Sequence, residues 1–429
     1  MARHFGESGG ELLVDGLRIG DVAAQFGTPL FVYDLGVVGG QLQALRTALP
    51  PPFEICYSVK ANPNLGLLRF LVARGCGLEI ASQGELAAAT AAGCPAQRIL
   101  FAGPGKTEDE LDAALAAGVG EIHVESRTEA VRLGTLARRR TTRARIALRV
   151  NPGAAVEGGG LRMGGKPAPF GIDEDQLEEV VRTVEAEPAL DLVGLHLYMG
   201  TQILDHELLL RQYTEGLEIA GRLQRRLGRR LETIDFGGGY GVPYFGHERP
   251  LDLEQFGRRL APWARDATSR PEFAATRFVV EPGRFLVAEA GLYVTRVTDV
   301  KVSRGKKFVI VDGGMHHHLA ASGNLGQTIK RNFPVALLDG LGRSNREPVD
   351  VVGPLCTPLD VLARAVPLPP VAIGDLIGVF QSGAYGRSAS PLGFLSRSSP
   401  AEVIVHQGRA RLARRHGRPQ DFLDDQILE

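Results

Sequence analysis

FEICYSVK (53–60), GLEIAS (77–82), RILFAG (98–103), EIHVES (121–126) and ARIALRVNP (144–152) are short, apolar and β-branched, and they start 24, 21, 23 and 23 residues apart. Between them run LGLLRFLVARG, GELAAATAAG, TEDELDAALAAG and RTEAVRLGTLARR, whose composition predicts helices. Thr107 and Glu110 form a capping-box pair that marks one helix start. Three more strand candidates follow, LVGLHLYMG near 192, TIDFGGG near 233 and RFVVEPGRF near 277, each after a longer helical stretch. Eight strands alternating with helices predict a parallel (β/α)8 TIM barrel, the alternative being a doubly wound open sheet.

After about residue 285 the rhythm changes. YVTRVTDVKVSRGKKFVIVDGG and VDVVGPLCTPLDVL read as strands joined by Gly, Pro and charged turns, so a C-terminal, mostly β domain is expected. The first 27 residues are expected to add strands to it, and a helix is expected at LGQTIKRNFPVALL. The glycine-rich stretch 153–169 reads as a mobile loop, and the basic stretch after His406 as solvated surface.

Composition excludes several classes. The chain has 429 residues, with 49 Lys+Arg against 49 Asp+Glu. A net charge of zero argues against a large nucleic-acid footprint. Four cysteines without a CxxC pair indicate neither a zinc ribbon nor a disulfide framework. The N-terminus lacks a secretory pattern, and no apolar run is long enough to span a bilayer. A cytoplasmic protein with no membrane partner is expected.

Four places carry candidate chemistry. Lys60 ends a strand at the barrel face where chemistry occurs, and its apolar approach (Ile55, Tyr57, Val59) could desolvate the amine into a nucleophile; taken alone, it reads first as a strand-end lysine reaching solvent. Gly237, Gly238, Gly239 and Gly241 follow a strand and could present backbone N–H groups to a phosphate, or simply make a tight turn. Glu281 and Arg284 bring opposite charges to the same mouth, suited to a ring nitrogen and to a phosphate or carboxylate, or to one another. In the second domain, Cys356 sits between Gly-Pro and Thr-Pro, with Asp360 and, further on, Tyr385. A lone cysteine is more commonly an inert buried thiol. His316, His317 and His318 are successive, a spacing poorly suited to one ion, so solvent or packing roles and no metal site are expected.

The ordered set YSVKAN, GLEIASQGEL, GPGKT, VES, LRVNP, FGI, GLHLYMGTQ, DFGGGYG, EPGR, VDGGM, GPLCTPLD and GAYG resembles the fold-type III pyridoxal-phosphate (PLP) decarboxylases, over about residues 28–405. Diaminopimelate and ornithine decarboxylases belong to that family. The resemblance implies an alanine-racemase-like fold: a PLP-binding barrel at 28–285, a β-rich domain from 1–27 and 286–429, and a homodimer with active sites at its interface. It implies that Lys60 is the Schiff-base lysine and that Glu281 keeps the ring nitrogen protonated. Glu79, His196, Tyr198, Gly237, Gly238, Gly239, Pro282, Gly283, Arg284 and Tyr385 would line the cofactor. Arg284, Thr357, Asp360 and Tyr385 would face substrate, with Asp360 also positioning its loop. Cys356 would be the acid that reprotonates Cα, supplied by the other subunit.

The departures bear on substrate. Thr357 replaces the acidic residue that pairs with a distal ammonium, and Ala320 stands opposite the arginine that binds a distal carboxylate. Tyr198 replaces the ring-stacking histidine, and Glu79 replaces an aspartate. HLAASGN, GPLCTPLD and SPLGFLSRSSPAE are similar to a subgroup that includes the butirosin-type decarboxylase of carrier-bound glutamate. The expectation is decarboxylation of an amino acid with a neutral or acylated distal end, with an acyl carrier protein as a partner. The alternatives are a diaminopimelate or ornithine/lysine decarboxylase and, ranked below these, a racemase.

Overall fold

The computed structural model describes residues 4–153, 161–162, 167–198, 200–327 and 329–427. Most of the 153–169 segment expected to be mobile lies outside the described residues. Eight parallel strands form where the sequence places them: β1 (Phe53–Ser58), β2 (Gly77–Ile80), β3 (Ile99–Phe101), β4 (Glu121–Val124), β5 (Ala144–Asn151), β6 (Leu190–Leu197), β7 (Thr233–Asp235) and β8 (Arg277–Val280). β8 pairs with β1 and β4 with β5, which closes the sheet into a barrel. Strands covered on both faces must be apolar nearly throughout, and Phe101, Ile146, Leu148, Leu195, Ile234 and Phe278 are fully buried. The crossover helices begin on side-chain caps. Thr107 and Glu110 make the expected capping box, Ser82 accepts from Glu85 N, and Ser126 accepts from Glu129 N.

The chain divides into two compact units, one of Leu42–Pro243 and Arg249–Phe285, the other of Met1–Gln41, Tyr244–Glu248 and Leu286–Glu429. The expected boundary at residue 28 is thereby corrected. The strand Leu30–Asp34 pairs antiparallel with Gly291–Ser303 and parallel with Ala401–His406, so its backbone hydrogen bonds belong to the β-rich unit. Three short strands, Gly6–Ser8, Glu11–Val14 and Leu17–Arg18, form a sheet of their own in that unit. The helix expected at LGQTIKRNFPVALL is absent among the described residues. Gly323 and Gly326 take φ of +73° and +74°, the chain turns, and after Pro334 it enters the strand Val335–Leu337. Left-handed glycines and a proline that donates no N–H leave no helical turn to propagate.

Candidate functional site

Lys60 lies in a single turn, Val59–Ala61, immediately after β1. Its Nζ donates to both oxygens of Glu79 at 3.1 Å, and Glu79, on β2, is only 1% exposed. Ser58 Oγ donates to Glu79 Oε2 at 2.5 Å. The apolar desolvation expected for Lys60 is therefore not what surrounds it: the amine faces a carboxylate, and its side chain is 46% exposed. A mobile, half-exposed amine tethered to a rigid buried anion is held at the strand end without being closed off.

Glu85, on the next helix, accepts from Ala81 N at 2.7 Å. Burial is the largest influence on it and pushes its carboxyl up to about 7. A carboxyl raised on folding stabilises the fold below its unfolded value near 4.5 and loses that contribution as pH rises through about 7. Glu85→Gln is therefore expected to gain stability over the native chain by about 2–3 kcal/mol at pH 8 and little at pH 4. Urea unfolding of both proteins at the two pH values measures it. Equal differences at pH 4 and 8 would show that Glu85 titrates no differently in the folded state.

A second group sits inside the barrel. His123 (β4) and His196 (β6) approach with Nδ1 atoms 2.9 Å apart, although their strands are not neighbours in the sheet. Contact across the sheet in this way places both rings in the barrel interior. His196 Nε2 lies 3.5 Å from Glu281 Oε2, just past β8. One ligand-capable atom each from His123, His196, Asp235 and Glu281 falls within 4.8 Å of all the others. Burial drives both imidazoles far toward the neutral form. Burial, then the charge of Glu281, drives the Asp235 carboxyl far upward. His123, Asp235 and Arg149, whose Nη1 donates to Glu125 Oε1 at 2.7 Å, were not singled out from sequence. The available signal was Glu121 and His123 at alternating positions of a strand expected to be apolar on both faces.

The glycine loop crosses the same mouth. Asp235 Oδ1 accepts from Gly237 N at 2.7 Å, and Glu281 N donates to Gly237 O at 2.8 Å. A Cβ at 237 would meet Leu197 O at 2.7 Å, and one at 238 would meet Glu281 O at 2.6 Å. Gly237 and Gly239 take φ of +68° and +96°. Only glycine lets this backbone lie against β6 and the residues after β8. Ser58 N donates to Pro282 O at 3.3 Å, and Gly283 packs on Ser58 and Ala61, so EPGR abuts the Lys60 turn. Arg284 opens the short helix Arg284–Val287. Tyr198, after β6, carries the Arg149 guanidinium 5.7 Å from its ring centre.

The β-rich unit holds the remaining expected residues. Cys356 is exposed, so the inert buried thiol is overturned. Asp360 is 3% exposed, and its oxygens accept from Met315 N (2.6 Å) and Leu355 N (2.8 Å). Each oxygen thus holds a backbone N–H, which suits loop positioning. Thr357 Oγ1 accepts from Leu359 N at 3.3 Å and brings no charge. Ala320 is half-buried. Tyr385 holds φ of +52°, a left-handed backbone that a bulky residue adopts only under local constraint. The three histidines are packing groups, not solvent-facing ones: each is at most 1% exposed, His317 contacts Tyr293 Oη (3.1 Å) and Ser398 O (3.0 Å), and His318 contacts Ser382 Oγ (2.9 Å). Burial lowers His316 to about 4 and the other two to about 3.

An amine at a barrel strand end, a buried carboxylate with an unpartnered Oε1 (Glu281) and a glycine loop between them define a site for an aldehyde-bearing, ring-nitrogen cofactor. These residues fit PLP. The comparisons agree. The family model "Pyridoxal-dependent decarboxylase, pyridoxal binding domain" matches residues 35–288. The chain is 38% identical over 417 residues to the L-glutamyl-[BtrI acyl-carrier protein] decarboxylase of Niallia circulans, covering 96% of this chain and 97% of that one. It is 34% identical over 426 residues to a diaminopimelate decarboxylase of Methanothermobacter thermautotrophicus, covering 97% and 96%. The crystal structure of diaminopimelate decarboxylase from Helicobacter pylori complexed with L-lysine superposes with a TM-score of 0.84 at 29% identity, covering 94% of this chain and 98% of that one. The chain belongs to the pyridoxal-dependent decarboxylases and is a PLP-dependent carboxy-lyase acting on an amino acid.

Proposed function

We propose that the chain removes the α-carboxylate of an amino acid whose distal end is neutral or acylated, glutamate carried on an acyl carrier protein being the leading case. The observation that carries this is Thr357, an uncharged residue whose hydroxyl is engaged within its own turn where the family places an acid. A distal ammonium loses its partner there, an effect of about 2–5 kcal/mol when the pair is desolvated. Ala320 likewise offers nothing to a distal carboxylate. The carrier-protein decarboxylase among the relatives supports the same direction.

When bound, PLP supplies the electron sink for the carbanion left as CO2 departs. The chain's own residues do the rest. Lys60 offers the amine that takes the cofactor's aldehyde, and Glu79 holds that amine in place. Glu281 would hold the ring nitrogen, the backbone of Gly237–Gly239 with Arg284 would hold the phosphate, and Tyr198 would lie against the ring. Tyr385 and Arg284 orient substrate. Cys356 delivers the proton to Cα from the second subunit of a homodimer, in a loop that Asp360 fixes.

Two experiments test this reading. Comparison of kcat/KM on free diaminopimelate, lysine, ornithine and a γ-linked glutamyl thioester is expected to favour the thioester by at least about tenfold, one factor of ten being about 1.4 kcal/mol. Preference for diaminopimelate would sink the substrate assignment and leave the PLP chemistry intact. Mixing inactive Lys60→Ala with inactive Cys356→Ala is expected to restore activity through hybrid dimers. No recovery despite demonstrated subunit exchange would place both groups in one chain's site.

A further inference from the structure

TIM-barrel interiors are ordinarily filled by branched aliphatic side chains. Here a polar file runs through the interior. At one end Glu121, the first residue of β4, accepts on Oε1 from Thr233 Oγ1 (2.6 Å) and Arg277 Nη2 (3.0 Å). Its Oε2 faces His123 Nε2 at 3.9 Å. His123 meets His196 through their Nδ1 atoms at 2.9 Å, and His196 Nε2 faces Glu281 Oε2 at 3.5 Å. Glu121 Oε2, His123 Nε2 and His196 Nε2 have no other hydrogen-bond partner. The residues are 1%, 0%, 1% and 5% exposed.

We propose that Glu121, His123 and His196 are positioning residues that form a one-directional hydrogen-bonded chain through the barrel core, ending with an N–H aimed at the Glu281 carboxylate. The inference rests on the reading that Glu281 holds the cofactor's ring nitrogen.

Proton counting gives the chain its direction. A 2.9 Å contact between two Nδ1 atoms needs one proton between two neutral rings. If His123 carries it, His196 has its proton on Nε2, facing Glu281. His123 Nε2 is then a lone pair facing Glu121, which donates as the carboxylic acid. If His196 carries it instead, its Nε2 lone pair faces Glu281, which must then be the protonated partner, and Glu121 must be ionised. The two arrangements hold the same number of protons and differ by moving the negative charge between Glu121 and Glu281. An ionised Glu281 is the state that accepts a ring N–H, so the site selects the first arrangement. Burial raises the Glu121 carboxyl, which agrees with it as the donor. Burial above all disfavours a second proton on either ring, helped by Lys106 and Arg149 at His123 and by Arg149 and Lys60 at His196, and opposed by Glu281 at His123 and by Glu125 and Glu79 at His196. Asp235, whose carboxyl is pushed upward by burial and then by the Glu281 charge, adjoins Glu281 on the glycine-loop side.

Shifts of under about 1 Å would bring the 3.5 and 3.9 Å gaps to hydrogen-bond length, and leaving them open strands Glu121 Oε2, His123 Nε2 and His196 Nε2 in the core. The alternative occupant is a metal ion. Four ligands around tetrahedral zinc lie about 3.4 Å apart. The present atoms spread to 4.8 Å and pair off through their own protons.

The test is the tautomer of each ring, read from two-bond 1H–15N correlations in protein labelled at histidine, with and without PLP. The expected result in the PLP-loaded protein is His123 as the Nδ1–H form and His196 as the Nε2–H form, both neutral. Reversed tautomers, or an imidazolium at either position, would overturn the proposal, and this measurement needs no variant to fold. His123→Phe is expected to weaken PLP binding by about tenfold and to lower Tm, since it leaves Glu121 Oε2 and His196 Nδ1 buried without a partner. Unchanged PLP affinity in that variant, or one equivalent of Zn2+ taken up by the apoprotein and lost in it, counts against the chain. The 15N resonance of the ring nitrogen of labelled PLP bound to Glu281→Gln tests the underlying reading separately. If it does not shift, Glu281 is not its partner, whatever the tautomers show.

Discussion

Lys60→Ala is expected to lose turnover by about a thousandfold or more, together with the borohydride-reducible link to the cofactor, because no other amine on β1 or β2 stands at that mouth. The substitution also strands Glu79, a buried carboxylate left with Ser58 as its hydrogen-bond donor. Lys60→Arg separates the two effects. A guanidinium keeps the charge opposite Glu79 but is never deprotonated, so it forms no covalent link. The expected pattern is equal inactivity in both variants with a higher Tm for Lys60→Arg. A borohydride-reducible adduct retained in Lys60→Ala would move the assignment to another residue.

Much of this protein was legible because a parallel barrel repeats one unit. FEICYSVK, GLEIAS and their successors recur every 21–24 residues, and strands covered on both faces must be apolar, so all eight were found. The places of Lys60 and Glu281 just past β1 and β8 were legible from strand periodicity, and barrel chemistry gathering at strand ends is what supports the roles proposed for them. What failed depends on distant partners. Leu30–Asp34 looks like any barrel strand, and only its pairing with Gly291–Ser303 and Ala401–His406 assigns it to the other sheet. The tether of Lys60 to Glu79 joins two strands 19 positions apart along the chain. His123 passed unnoticed because one polar residue in EIHVES does not reveal which face it takes. Its meaning appears only when β6 brings His196 to 2.9 Å. The exposure of Cys356 and the choice between solvent and packing for the three histidines were open for the same reason, since exposure in irregular loops follows from packing that local pattern does not encode.

Glu281→Gln is expected to leave PLP bound while slowing decarboxylation by about two to three orders of magnitude, the scale for removing one preorganised electrostatic contact. The amide is nearly isosteric, so the backbone bond from Glu281 N to Gly237 O and the glycine loop should persist. What is lost is a negative charge in a site where little water competes with it. Glu281 is 5% exposed, and its neighbours Asp235, His123 and His196 are all held in neutral forms by burial. On the proposed reading Glu281 is the group that would face the ring nitrogen, and burial disfavours charge on Asp235 and both imidazoles beside it. Asp235→Asn makes the contrast. It keeps a neutral hydrogen-bonding group beside Glu281, so its loss of kcat is expected to be smaller than that of Glu281→Gln by at least tenfold. Steady-state kcat at saturating substrate, with PLP content measured in the same samples, decides between them. Unchanged turnover in Glu281→Gln would remove Glu281 from the mechanism. Equal losses in the two variants would mean that the pair acts through its shared proton rather than through the charge at 281.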